Sequence, residues 1–212
     1  MIHAYDEIYL EDAMRNLGEA IDYISSDCQK DIDEFFHLFI STGIAEEFGN
    51  GNPSYIAGMS GPELAMAVFE KAGYQGTFPC SSENTNKSPA YWCGWILAYY
   101  QWYTAMPFRE ISYYITLQEI ETLYFTLHEA PEEKFVDILN MIIHQNPRPT
   151  KLQQFRRNRG LTQKELAATS GVSLRSIQMY EQRNKDINKA QAINVYRLAK
   201  ILGCRIQDLF EY

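Results

Sequence analysis

The chain has 212 residues, is 46% hydrophobic and carries a formal charge of −8; that apolar content suffices for packed cores and excludes global disorder. It holds no stretch of 18 uncharged apolar residues, and its start, MIHAYDEIYLEDAMRN, lacks the basic-then-apolar order of a secretory signal. A cytoplasmic protein with no membrane contact is expected.

The charge is unevenly spread. Residues 1–147 hold 6 Lys+Arg against 22 Asp+Glu, net −16, whereas residues 148–212 hold 13 against 5, net +8. An acidic body with a basic end suggests that one end meets a phosphate backbone while the other does something different.

In chain order, apolar residues recur at three- and four-residue intervals without useful period-two alternation, which predicts an all-α fold. Ile8, Met14, Leu17, Ile21 and Ile24 mark a first helix, and Phe35, Phe36, Phe39 and Ile40 a second. Ser60-Gly61-Pro62-Glu63 opens another with a capping box, its buried stripe being Leu64 and Val68 with Phe69 beside them. An irregular stretch, roughly 73–88, rich in Ser, Asn, Gly and Thr, divides the acidic part into two helical halves. Further helices are expected at about 89–105, 108–114, 117–126 and 131–145.

Within the 89–105 helix, Trp92, Trp95, Tyr99, Trp102 and Met106 follow at intervals of 3, 4, 3 and 4, giving an aromatic face. That stripe reads either as core or, with Tyr103, as a partner or ligand surface formed by Trp92, Trp95, Tyr99, Trp102 and Tyr103. Tyr91, Tyr100, Tyr103, Tyr113 and Tyr114 are too many for one face, so some are expected at the surface, where tyrosines favour interfaces.

No catalytic constellation emerges, and no enzyme activity, cofactor or metal is expected. His3, His37, His128 and His144 lie far apart, no Gly-rich phosphate loop or Gly-x-Ser-x-Gly elbow occurs, and Cys28, Cys80, Cys93 and Cys204 lack the paired spacings of a zinc site or disulfide framework. His128-Glu129 and Cys93 are the weak exceptions. The pairs Glu46-Glu47 and Glu132-Glu133 read as solvated helix ends.

His144-Gln145-Asn146-Pro147-Arg148-Pro149-Thr150 reads as a linker, its prolines barring helix continuation and its Thr suited to capping. Domains of 1–147 and 148–212 follow. In the second, capping boxes are predicted at Thr150-Lys151-Leu152-Gln153, Thr162-Gln163-Lys164-Glu165 and Asn188-Lys189-Ala190-Gln191. Hydrophobic staples pair Leu161 with Leu166, and Val172 with Ile177 around a capping Ser173. The last box precedes a face of Ala192, Val195, Tyr196, Ala199 and Leu202 with Gly203 as stop, and a final short helix would bury Ile206, Leu209 and Phe210. Between Ser170 and Ser173 only Gly171 and Val172 remain, which suits a left-handed glycine swinging one helix across the next, with small Ala167 at the crossing.

The run LTQKELAATSGVSLRSIQMYEQ resembles the helix-turn-helix of the Cro and phage-repressor (XRE-type) family. The resemblance covers residues 151–211, including Arg159-Gly160, Tyr180-Glu181 and the Leu198-Ala199-Lys200, Leu202-Gly203 and Leu209-Phe210 tail. It implies a lambda-repressor-like domain of five helices whose third enters the major groove of double-stranded DNA, usually as a homodimer on a two-fold-related site. It also implies an internal salt bridge between Arg156 and Glu181, and a backbone-contacting role for Gln163. The acidic half, 1–147, resembles no well-characterised domain family.

On the third helix, spacing sends Ile177 inward and leaves Leu174, Arg175, Gln178 and Met179 as candidate base readers. Arg175 can donate two bonds to guanine, and Gln178 can pair with adenine. Leu174 stands where many relatives carry a polar reader and offers apolar contact to a thymine methyl. Thr162, Gln163 and Ser173 at helix starts, and Arg183, Lys185, Asn188 and Lys189 in the following loop, are candidate phosphate contacts, the loop reading otherwise as a solvated basic segment. Function then divides between a bacterial transcription regulator, a dimeric repressor held at the nucleoid when bound, and an antitoxin-like interaction protein whose acidic domain covers a basic partner while the head autoregulates its operon. An enzyme fused to a DNA-binding domain is the remaining alternative.

Overall fold

The computed structural model describes residues 3–82, 87–146 and 149–211, and all thirteen of its α-helices fall there, with no strand among the described residues. The chain divides into two compact units, 1–146 and 147–212. Pro147 and Arg148 of the expected linker lie outside the described residues, as do 83–86 of the irregular stretch.

The first unit is built on α1 (Leu10–Ser26), α2 (Ile32–Ser41), α3 (Ile44–Gly49), α4 (Pro53–Ile56), α5 (Gly61–Lys71), α6 (Pro89–Thr104), α7 (Phe108–Ile111), α8 (Leu117–Leu127) and α9 (Glu132–Gln145). Its longest pairing is α1 with α6. They approach backbone to backbone because position 94 is glycine: a methyl group there would run into the Leu17 carbonyl and the Gly18 amide. Met14, Leu17, Ile21 and Ile24 of α1 all turn inward. Ile8 does not; it sits in a 3-10 turn, Glu7–Tyr9, ahead of the helix and is 74% exposed, because Asp6 caps that turn and sets a different phase.

Helices α3 and α4 were not legible in advance. They occupy the span between the second predicted helix and the Ser60 cap, where no element was predicted, α3 beginning after Gly43 at φ +79 and α4 opening with an Asn52 cap and Pro53. They bring Phe48 and Ile56 into the core, where Phe39, Phe48 and Phe108 meet edge to face at 5.4–5.9 Å between centroids. Such ring pairs add about 0.5–1.5 kcal/mol each beyond burial. Ser60 and Glu63 form the expected capping box, the carboxylate accepting from the Ser60 N–H at 2.7 Å, and Leu64, Val68 and Phe69 are buried.

The idea of one aromatic face on α6 needs correction, because this helix is buried nearly all round. Trp92 and Trp102 are core residues rather than surface ones: Trp92 meets Tyr124 and Phe135 edge-on, and the Trp102 indole N–H donates to the Tyr5 carbonyl at 2.9 Å. Tyr91 and Tyr100 are likewise buried, Tyr100 donating to Asn140 at 2.9 Å. Trp95, Tyr99 and Tyr103 are half-exposed, and Tyr113 is at the surface. In the irregular stretch, Tyr23 donates to the Pro79 carbonyl at 2.6 Å and Ser82 to Asp27 at 2.7 Å, fastening the segment to α1.

The second unit contains α10 (Lys151–Asn158), α11 (Gln163–Ser170), α12 (Leu174–Glu181) and α13 (Ala192–Leu202), closed by a 3-10 helix, Ile206–Leu209, in place of a fifth α-helix. Its core joins Leu152, Leu166, Val172, Ile177, Tyr180, Val195, Leu198 and Leu202. Thr150 caps α10 by accepting from Gln153 N at 3.2 Å, but the return bond is absent from the cap, since the neutral Gln153 amide is a weaker acceptor than a carboxylate. The expected box at Asn188 does not form either. Asp186 caps a 3-10 turn at Ile187–Lys189, and α13 starts later, after Gln191. The buried face of α13 is Val195, Leu198, Ala199 and Leu202, whereas Ala192 and Tyr196, expected on it, are exposed. Ile206 is also exposed rather than buried, while Leu209 packs fully inside.

Candidate nucleic-acid interface

The recognition geometry starts from a cap and a turn. Thr162 and Glu165 satisfy each other's backbone N–H groups at 2.8 and 3.2 Å, which fixes the start of α11. The Thr162 N–H and hydroxyl, each donating to Glu165 Oε2 at 2.8 Å, hold that carboxyl below the ordinary carboxylate value. At the other end Gly171 takes φ +70, a left-handed conformation that an L side chain resists, and its N–H returns to the Ala167 carbonyl at 3.0 Å. Ser170 Oγ accepts from Val172 N at 3.2 Å, and Ser173 then caps α12 by accepting from Ser176 N at 3.1 Å. One glycine and two serines thus set the angle between α11 and α12.

On α12, Ile177, Tyr180 and Glu181 are buried, so the opposite side is the presented one. Arg175 is exposed, and Leu174, Gln178 and Met179 are half-exposed. Gln182, the C-cap residue, is exposed four positions beyond Gln178 and shares its face. It was not among the candidate base readers drawn from the sequence, although its spacing from Gln178 was a usable signal.

Three donors hold α12 in place through one carboxylate. Arg156 grips Glu181 with Nε on Oε1 at 2.7 Å and Nη2 on Oε2 at 2.8 Å, and its Nη1 donates to the Leu161 carbonyl at 2.7 Å. Gln163 adds a bond from Nε2 to Glu181 Oε2 at 2.8 Å. The Glu181 side chain is only 1% exposed, so these bonds replace its water. Gln163 was expected to contact phosphate; its amide is committed in part to this internal bond, which fixes the side chain at the start of α11.

Among the loop residues, Arg183 sits at φ +56 and lies 3.6 Å from the Glu211 carboxylate, while the Lys185 ammonium stands 5.8 Å from the Tyr180 ring centroid. Lys189 pairs with Asp186 at 3.7 Å on the surface. Asn188 needs correction as a phosphate contact: its amide N–H donates to the Glu211 carbonyl, and its oxygen accepts from Glu211 N at 3.0 Å. Both ends of that side chain are engaged by the backbone near the end of the chain.

Residues 152–209 match the model of the helix-turn-helix family. No curated protein and no solved structure matches the chain. The second unit is therefore a helix-turn-helix domain of the Cro and phage-repressor type, a DNA-binding class, joined to an acidic helical unit of unrecognised family. Among the described residues no helix is long and apolar enough to cross a membrane, and no group of three or more His, Cys, Asp or Glu side chains is placed to hold a metal ion.

Proposed function

We propose that this chain is a non-enzymatic transcription regulator that binds an operator in double-stranded DNA as a homodimer and represses from it. The observation that carries the reading is the two-sided design of α12: Glu181, Tyr180 and Ile177 anchor it, while Arg175 and Gln178 lie on its presented side. A guanidinium and an amide on that face match the hydrogen-bonding edges of guanine and adenine. Thr162 and Ser173 start the two helices whose N-termini face the phosphates in this arrangement, and Arg183, Lys185 and Lys189 add charge along the flank.

Self-association is supported by Ile193 and Tyr196, which stand 52% and 50% exposed, three residues apart on α13. An interaction protein with a basic partner is the second reading, favoured by the net −16 of residues 1–147. Selection of bound fragments from the source genome tests the proposal. Enrichment of a two-fold-related site supports it, whereas uniform recovery of random fragments overturns it. A stoichiometric basic protein retained on purification would favour the second reading.

A further inference from the structure

The acidic unit carries a cavity of about 670 Å³ along the outer side of α1, within the size range of small-molecule sites. Its walls combine carboxylates and aromatic rings. Glu19 and Asp22 of α1 and its C-cap Asp27 line it, with Tyr91 and Trp95 from α6 on the facing side. Among the described residues none of these three carboxylates has a Lys or Arg within ion-pair distance; Arg15, which also lines the cavity, pairs with Asp12 instead. Asp22 and Asp27 accept from Ser88 and Ser82, bonds that orient them without neutralising their charge.

A second observation bears on which cation the groove accommodates. The chain's own Lys87 places its ammonium 4.6 Å from the Trp95 ring centroid and 5.0 Å from that of Tyr91, over rings stacked 27° apart. An alkylammonium therefore already sits on the aromatic platform, held by ring quadrupoles rather than by a carboxylate. The negative field beside it also acts on Tyr91, whose hydroxyl is pushed up to about 12 by burial and then by Glu19.

The three carboxylates are spread along the cavity. Along α1, Glu19 and Asp22 are separated by roughly 4.5 Å of helix rise and Asp22 and Asp27 by roughly 7.5 Å. A compact cation would satisfy one of them. A chain of ammonium groups on short methylene spacers would meet each in turn and leave its last ammonium on the rings. We propose that this groove binds a linear aliphatic polyamine, one ammonium displacing Lys87 from Tyr91 and Trp95 and the others pairing with Glu19, Asp22 and Asp27.

The test is titration of the full chain, without DNA, with the tetraamine spermine at physiological salt, followed by calorimetry and tryptophan fluorescence. Its outcome is thus independent of operator binding. Saturable one-to-one binding is expected, weakened about tenfold by Glu19→Gln through loss of a charge-assisted bond. Trp95→Leu should weaken it about three- to fivefold. Lys87→Ala, a change at an exposed side chain that leaves the fold intact, should tighten it by removing the internal competitor. No saturable binding overturns the proposal, as does affinity unchanged by Lys87→Ala or equal displacement by magnesium ion. Binding of an oligolysine peptide but not of spermine would also overturn it and assign the groove to a protein partner.

Discussion

Gln163, in the first turn of α11, donates to Glu181, in the last turn of α12, and so ties the positioning helix to the presented one at 2.8 Å. The same carboxylate takes the Arg156 fork from α10. Three helices therefore share one buried charge, and the angle of α12 depends on its being fully compensated.

Arg156→Ala should destabilise the second unit by about 3–5 kcal/mol, because it strands the Glu181 charge. Arg156→Lys should recover only part, since an ammonium cannot reproduce the planar two-bond grip. Urea unfolding followed by circular dichroism measures both. A loss below about 1 kcal/mol for the alanine variant would place the carboxylate in water.

Arg175→Ala and Gln178→Ala should each remove about 1–3 kcal/mol of discrimination between operator and random DNA. Stability should be unchanged, as neither side chain is buried. Competition binding with matched and mismatched duplexes reads the effect, and equal loss on both kinds of DNA would reject base reading. Lys185→Ala should weaken all duplexes alike and flatten the salt dependence by about 0.9 log units per log unit of salt.

The cap at Thr162 gives a pH prediction. Glu165 has its folded value depressed below 4.5 by the two Thr162 bonds. Its stabilisation is therefore present above the unfolded value and is lost as pH falls through the folded one. NMR titration of the Glu165 carboxyl should give a midpoint below 4.5, moving upward in Thr162→Ala. That variant should also cost about 1 kcal/mol as a lost cap.

Ile193→Asp together with Tyr196→Lys should yield a folded monomer by sedimentation equilibrium and lower operator affinity. Both side chains are exposed, so the unit's core is untouched. Persistence of the dimer would move self-association to another surface.

Gly94→Ala should destabilise the first unit by about 1–3 kcal/mol, the typical cost of overpacking. Helix propensity alone would predict a gain of about 1 kcal/mol, so the sign separates the two effects in a thermal melt.

The second unit was readable where local chemistry decides the structure. Thr162, Glu165, Gly171 and Ser173 impose caps and a turn through bonds to their own neighbours, so the α11–α12 arrangement follows from short-range spacing. The failures occur where distant residues compete. Asn188 has the right spacing for a cap, yet it bonds to Glu211, 23 positions away, and α13 begins only after Gln191. Periodicity also suggested one aromatic face for α6, but most sides of this helix are buried and the stripe is split, Trp92 and Trp102 lying in the core while Trp95, Tyr99 and Tyr103 stay half-exposed. The short helices α3 and α4 have too few turns to display a period; α3 is fixed by Phe48 packing on the Phe39 and Phe108 rings, and α4 by contacts with α1 and α3, where Asn16 donates to the Tyr55 carbonyl.

The enclosure of α6 has a kinetic meaning. With water kept from nearly every side of the helix, the amide hydrogens of Ile96, Leu97 and Ala98 have no shallow route to exchange with deuterium. Their replacement must wait for the whole acidic unit to come apart, making this segment a natural clock for its lifetime in the folded state.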